Sequence, residues 1–226
     1  MKRLLNIALD NAVALGVVVI VLFLIIPLPT FLLDFLLIVN IGLAIMILMI
    51  TMNISEALEF SIFPSLLLVT TLFRLGLNVS STRMILRDGY AGEVIQNFGQ
   101  LITGGNIVIG VVIFLIIVLV QFIVITKGAE RVAEVAARFN LDAMPGKQMA
   151  IDADLSSGLI SEQQAKERRY KIQKEADFYG AMDGATKIVK GDAVMSLIIT
   201  AVNFFGGMII GMVQGGMSFS EVLSVY

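Results

Sequence analysis

Long stretches without a charged residue limit most strongly how this chain can fold. Four of them are at least 21 residues long, at 11–33, 35–55, 94–126 and 193–220. A helix needs about 20 mostly apolar residues to cross a bilayer. Composition agrees, because 58% of the residues are hydrophobic, only 15% are charged and the mean hydropathy is +0.92. Soluble domains average about 25% charged residues. The sequence therefore predicts an all-α, polytopic membrane protein.

The apolar stretches predict five membrane helices. Four of them are expected at about 12–26, 35–55, 60–82 and 107–126. The fifth begins the last segment, 193–226, and the rest of that segment is incomplete. The "PLPT" turn ends the first helix, because two prolines interrupt the helical pattern. The "GGN" turn that begins at Gly104 precedes the fourth helix in the same way.

Charge places the segment between the last two helices. Residues 127–192 hold eleven of the sixteen Lys and Arg residues and eleven of the eighteen Asp and Glu residues. Because cytoplasmic loops are rich in positive charge, this segment is predicted to be a cytoplasmic helical linker, with Lys2 and Arg3 also inside. The stretch 83–105 then faces outward, and a re-entrant or interfacial segment is the alternative there.

The linker is predicted to contain two amphipathic helices. The first covers "KGAERVAEVAARFN" and ends at Asn140, after which "MPGK" turns the chain. The second opens with a capping box formed by Ser161 and Gln164 and ends at Gly180. Helices of this size indicate a small docking platform and not an independent domain.

Composition excludes several classes of function. Cysteine and histidine are absent, which excludes disulfides, most zinc sites and histidine-based catalysis. The net charge of −2 argues against nucleic acid as a partner. The "DADLSSGLISEQ" segment has its glycine one position too late for a calcium loop, and no phosphate-binding glycine loop occurs. We therefore expect no enzyme activity, no cofactor and no metal site.

A polar stripe follows one face of the third helix. Its members recur at three- and four-residue steps: Thr71, Arg74, Asn78 and Ser81 or Thr82. An arginine at the bilayer centre costs roughly 2.5–3.5 kcal/mol on insertion scales, so Arg74 is expected to face a partner or a water-filled cavity. It either pairs structurally, with Asp34 or with helix carbonyls, or belongs to an ion path. Arg83 lies about half a turn away and cannot serve the same surface on a straight helix.

Three charged residues lie at the start of the fifth helix: Lys187, Lys190 and Asp192. Asp192 is expected in the first turn of that helix, where a carboxylate caps the helix and meets the positive end of its dipole. The alternative is a titrating site at the mouth of the membrane, with Lys187 favouring the charged form of the carboxylate. Lys190 is interpreted as an ordinary anchor at the membrane boundary.

Small residues indicate two helix-packing faces. Gly207, Gly211 and Gly215 follow one another at four-residue steps in the fifth helix, and Gly76 and Ser80 do so in the third. Such spacing lets another helix approach closely.

Three stretches resemble the signatures of the FlhA/SctV (FHIPEP) family of type III secretion export-gate proteins. They are "FRLGLNVSSTR", "ITKGAERVAEVAARFNLDAMPGKQMAIDADL" and "DFYGAMDGATKIVKGDA", and the similarity covers nearly the whole chain. The resemblance implies an inner-membrane protein of the flagellar export apparatus, favoured here, or of the virulence injectisome. The charged positions that the family requires match Arg74, Arg83, Lys187 and Asp192 of this chain.

The resemblance also implies partners and a mechanism. Family members assemble as a homo-oligomeric ring, proposed to be nonameric, beside other export-gate membrane proteins. They use the proton motive force or a sodium gradient to export unfolded proteins. Substrates, chaperones and the associated ATPase complex dock mainly on a soluble domain that the sequence lacks, so the chain is expected to be part of something longer. The alternatives are a non-conducting ring scaffold that organises the export channel and, third, a small-solute transporter.

Overall fold

The computed structural model describes residues 12–225, and within that range every regular element is helical. The apolar part contains α1 (Ala12–Ile25), α2 (Thr30–Met52), α3 (Phe63–Asp88), α4 (Glu93–Thr103) and α5 (Ile107–Gln121). The remainder contains α6 (Glu130–Asp142), α7 (Met144–Ser156), α8 (Glu162–Val213) and α9 (Phe219–Val225). A 3₁₀ turn, Ala57–Phe60, precedes α3, and a π-helical segment, Phe122–Ala129, joins α5 to α6. The all-α prediction is confirmed.

Four of the described helices are long and apolar enough to cross a membrane. They are α2, α3, the segment Ile107–Val124 and α8. The described part of α1 is apolar but only 14 residues long. Lys2 and Arg3, which the sequence places in the cytoplasm, lie outside the described residues.

Two of the apolar helices are longer than the sequence indicated. α2 begins at Thr30, directly after the extended Pro29, and therefore includes Asp34. α3 continues past the expected end near Thr82 to Asp88, where Gly89 adopts a left-handed conformation and ends the helix. The polar residues after Arg74 thus belong to the interior of α3.

Three helices of the bundle run parallel to one another. Arg74 and Asn78 of α3 contact Asp192 and Ser196 of α8, and both contacts have the same sequence separation of 118 residues. On the other side of α3, residues farther along α3 contact residues farther along α1, so these two helices are also parallel. α2 packs against α3 in the opposite direction, as a helix that connects two parallel spans must.

α8 corrects the predicted architecture of the linker. It is a single helix of 52 residues, whereas the sequence placed a helix end at Gly180 and a new helix at Ala193. The capping box of Ser161 and Gln164 is present at its start. A helical glycine costs about 1 kcal/mol relative to alanine, but Gly180 stays helical because α8 packs against α3, α6 and α7.

The linker also has one more helix than expected. "MPGK" opens α7 with proline in its first turn, where the missing N–H costs nothing, and does not simply turn the chain. An apolar cluster joins α7 to α8, formed by Ile151, Ile160, Ala165 and Ile172. The linker is therefore fastened to the same helix that enters the apolar bundle.

Candidate functional site

An ion pair between α3 and α8 forms the centre of the candidate site. The Arg74 guanidinium contacts Oδ2 of Asp192. The Asp192 side chain is only 3% exposed, whereas the Arg74 side chain is 44% exposed. The second carboxylate oxygen, Oδ1, is buried and has no hydrogen-bond partner among the described residues. One side of the pair is thus sealed in protein, and the other is open.

The position of Asp192 differs from the sequence-based expectation. Its helix began 30 residues earlier, at Glu162, so Asp192 lies in the helix interior and its neighbouring N–H groups already serve the helix. Neither capping nor the helix dipole, which fades within the first turn, explains a carboxylate there. The burial of Asp192 is balanced by Arg74.

Polar side chains continue from the ion pair along the seam between the two helices. Asn78 Nδ2 donates to Ser196 Oγ at 3.4 Å, one turn beyond Arg74 and Asp192. Farther along α8, the Asn203 Oδ1 atom is buried without a hydrogen-bond partner. Sequence reasoning singled out the stripe on α3 but missed Ser196. Ser196 follows Asp192 by four residues and lies on the same face of the helix as Asn203, and this spacing could have identified it.

A groove gives access to the exposed side of the guanidinium. It has a volume of about 250 Å³ and lies between α2, α3 and the start of the apolar part of α8. Arg74 lines it together with three polar residues, Asn40, Thr70 and Thr71. Five apolar residues also line the groove, so it is a mixed polar and apolar recess that reaches the Arg74 side of the pair.

Arg83 serves a different surface from Arg74, as its position on the helix predicted. Its guanidinium donates to the carbonyl oxygens of Leu24 at 2.9 Å and Ile25 at 3.0 Å. These carbonyls lie at the end of α1, where the last helical acceptors have no partner within the helix. Arg83 therefore caps α1 and ties it to α3.

Lys187 does not reach Asp192. Its ammonium group donates to Asp183 at 2.7 Å, one turn earlier on the exposed face of α8. Five residues separate Lys187 from Asp192, which places the two side chains well apart around the helix. Lys190 instead contacts Glu130 at 2.5 Å and ties α8 to α6. Among the described residues, the structure thus shows no contact through which Lys187 would act directly on Asp192.

Asp34 is not the partner of Arg74 either. Its carboxylate accepts the backbone N–H groups of Glu93 and Val94, both at 3.0 Å, and so caps α4 from a neighbouring helix. Among the described residues, no group of three or more potential ligands is arranged to hold a metal ion.

The small residues divide between two surfaces. Gly76 lies beside the backbone of α1, where an added Cβ would stand 3.3 Å from the Ile20 carbonyl oxygen, and the Ser80 hydroxyl donates to the Phe23 carbonyl at 3.0 Å. In α8, Gly207 and Gly211 are buried. Gly215 does not extend their face, because the helix ends at Val213 and Gly215 is exposed.

Comparison with known proteins identifies the family. Residues 20–226 match the model of the FHIPEP family. The chain belongs to that family. No solved structure matches it.

The similar proteins include flagellar biosynthesis proteins and a low calcium response protein. The chain is 61% identical over 215 residues to "Flagellar biosynthesis protein FlhA" of Bacillus subtilis (strain 168), covering 95% of this chain and 32% of the relative. It is 58% identical over 222 residues to the protein of the same name from Caulobacter vibrioides, covering 96% and 32%. It is 52% identical over 217 residues to "Low calcium response locus protein D" of Yersinia pestis, covering 96% and 31%. The chain spans about a third of the length of these curated relatives.

Proposed function

We propose that this chain is a membrane component of the bacterial flagellar protein export apparatus, in which the Arg74–Asp192 pair couples an ion gradient to export. Membership of the FHIPEP family and the FlhA relatives at 61% and 58% identity support the flagellar assignment. The long apolar helices support a location in the bacterial inner membrane.

The observation that carries the ion-coupling proposal is the unpartnered Oδ1 atom of Asp192. A deprotonated carboxylate attracts the Arg74 guanidinium, and a proton or sodium ion added at Oδ1 removes that attraction. The guanidinium already borders the groove that Asn40, Thr70 and Thr71 line, which leaves it space to move when the pair opens. Binding of an ion and opening of the α3–α8 contact are then two sides of one equilibrium.

The contacts at the two ends of the bundle support the proposed orientation. Glu56, in the turn between α2 and α3, contacts Lys171 of the linker at 2.8 Å, as it should if both are cytoplasmic. Asp34, at the other end of α2, contacts the backbone of Glu93 in the 83–105 stretch, as it should if both face outward. We place residues 127–192 and the N-terminus in the cytoplasm.

Arg83 and Lys187 take indirect roles in this mechanism. Arg83 fixes α1 against α3, which sets where Arg74 lies. Lys187 holds the exposed face of α8 together at the cytoplasmic entrance through Asp183. Both position the pair without touching it.

The test is proton and sodium flux in proteoliposomes that contain the full-length parent protein. We compare the unaltered protein with Asp192→Asn and with the matched control Asp177→Asn, an exposed carboxylate on the same helix. Flux that is lost only in Asp192→Asn, with assembly intact, supports the proposal. Flux that is equal in all three proteins refutes a coupling role for Asp192.

A non-conducting scaffold is the second candidate. A buried pair that joins two helices also serves a purely structural role, and the proposed homo-oligomeric ring around the export channel would need such fixed contacts. Absence of flux in every protein, together with normal ring assembly, would favour this scaffold.

The remaining partners follow the family. We propose contacts with other export-gate membrane proteins in the bilayer, and with substrates, chaperones and the ATPase complex mainly through the rest of the longer protein. The injectisome branch is the alternative setting, and the Yersinia relative at 52% identity keeps it open. Restored motility in a flagellar deletion strain carrying the full-length protein would support the flagellar branch.

A further inference from the structure

The short helix α4, between two long apolar helices, has an apolar face that the described residues do not cover. Apolar residues recur along one side of it: Val94, Ile95, Phe98, Leu101 and Ile102. The opposite side is polar: Gln96, Asn97, Gln100 and Thr103. This pattern is that of an amphipathic helix.

The first turn of α4 rests on the bundle, and its last residue, Thr103, lies against Gly110 of α5. Asp34 accepts the N–H groups of Glu93 and Val94, and Ile95 packs against the cluster that contains Leu33 and Ala91. After that turn the apolar face is open, with Phe98 52% exposed, Leu101 81% and Ile102 46%.

The backbone conformation and a close contact fix the position at which α4 starts. Gly92, just before the helix, has a φ of +110°, which side chains rarely adopt, and an added Cβ would overlap the Asp34 carboxylate. This close approach allows the carboxylate to reach two N–H groups at once. The geometry fixes the position from which α4 departs, while its apolar face remains without a protein partner among the described residues.

The position of α4 in the chain indicates what covers that face. It connects α3 to α5, which are both long and apolar enough to cross a membrane. Its eleven residues span about 16 Å, roughly half the thickness of the hydrocarbon core. Glu93 is its sole charged residue, so nothing in the helix demands an anionic surface.

We propose that α4 lies flat in the lipid interface on the side of the membrane opposite the linker, with Phe98, Leu101 and Ile102 among the acyl chains. Helices of this kind bury their apolar face about 5–10 Å deep at the headgroup boundary. Asp34 acts as the positioning residue that aims the helix into that plane. The inference rests on the proposed membrane location of α3 and α5, but not on ion coupling or export.

Single-cysteine labelling tests the proposal cleanly, because the sequence contains no cysteine. An environment-sensitive fluorophore is attached at Phe98→Cys or Leu101→Cys, and at Asn97→Cys or Gln100→Cys as matched controls on the polar face. The protein is reconstituted in phosphatidylcholine vesicles with nitroxide lipids, labelled either near the headgroup or deep in the acyl chain. We expect shallow nitroxides to quench the two apolar positions several-fold more strongly than the two polar ones.

Two further outcomes would overturn the inference. Equal quenching of all four positions by aqueous iodide would mean that α4 stands in water. Labels at Phe98 and Leu101 that are shielded from both lipid and iodide, with disulfides forming between copies when the same cysteines are left unlabelled, would mean that a second copy covers the face. A label at Leu115→Cys, in the middle of α5, separates the two proposals, because failure of deep nitroxides to quench it would refute the membrane location itself.

Discussion

Replacing Arg74 by methionine tests the central pair most directly. The change leaves the Asp192 carboxylate, which is 3% exposed, without its counter-charge. Removing one partner of a buried ion pair costs about 3–5 kcal/mol, because the remaining charge is uncompensated. Arg74 itself is 44% exposed, so the lower end applies. We expect a loss of about 3 kcal/mol, or roughly a 150-fold larger unfolding constant.

The reverse replacement should cost much less. Asp192→Asn removes the buried charge and leaves a guanidinium that already contacts the groove, so we expect a loss of only about 1 kcal/mol. In the double variant, methionine faces an uncharged amide, and the loss should stay below about 2 kcal/mol. The coupling energy between the two positions is then about 2 kcal/mol, within the range for residues in contact.

Equilibrium unfolding in mixed detergent micelles, run on all four proteins of this double-mutant cycle, measures these differences. The result that refutes the reasoning is additivity. If Arg74→Met costs no more than Asp192→Asn and the double variant costs their sum, the two side chains do not interact in the folded protein.

Three other perturbations have clear expected results. Gly92→Ala should detach α4, because its Cβ overlaps the Asp34 carboxylate, and hydrogen exchange at the start of α4 should rise at least tenfold; unchanged exchange would contradict this. Ser80→Ala removes a buried hydroxyl that donates to a carbonyl of α1, and should cost about 1 kcal/mol in detergent unfolding, against a negligible cost at an exposed serine. The Lys171 ammonium lowers the pKa of the Glu56 carboxyl, and Glu56 in turn raises the pKa of Lys171. The stability that Glu56 contributes to the folded protein is therefore present above its ordinary pKa of 4.5 and is lost as pH falls through its lowered pKa. The stability that Lys171 contributes is lost only at alkaline pH above 10.5. The chemical shift of the Glu56 side-chain carboxyl carbon, followed against pH, should show a midpoint below 4.5, and Lys171→Met should return that midpoint towards 4.5.

The fold was predictable from sequence wherever a single local property decides it. An uncharged run of 21 residues with few breaks is helical in a membrane whatever its neighbours are, and α2 lies where such a run predicted. The junction near Gly180 was different. Composition changes there from charged to apolar, and the sequence was interpreted as two helices. Helix continuity does not depend on hydropathy, however, and contacts with α3 and α6 hold the whole of α8 together.

The candidate site was predictable only in part for a related reason. The cost of burying a guanidinium predicts that Arg74 needs a partner, but not which one. Asp34 is 40 residues away in sequence and Asp192 is 118 residues away. The choice depends on α3 and α8 running parallel, a long-range property that spacing along one helix cannot report. The same holds for Ser196, which gains significance only when Asn78 lies opposite.

The continuity of α8 gives the ion pair a mechanical connection to the linker. One helix starts at Ser161, contacts α7 through the Ala165 and Ile172 side chains, and continues to Asp192 with no break. A helix rises 1.5 Å per residue, so an axial shift of the linker by little more than one residue moves the Asp192 carboxylate by about 2 Å relative to α3. Arg74 cannot follow such a shift through its backbone, because the Arg83 contacts hold α3 to α1. The buried pair is therefore sensitive to small displacements of the linker, and the energy that separates it, expected to be about 2 kcal/mol, sets the work that the linker must supply.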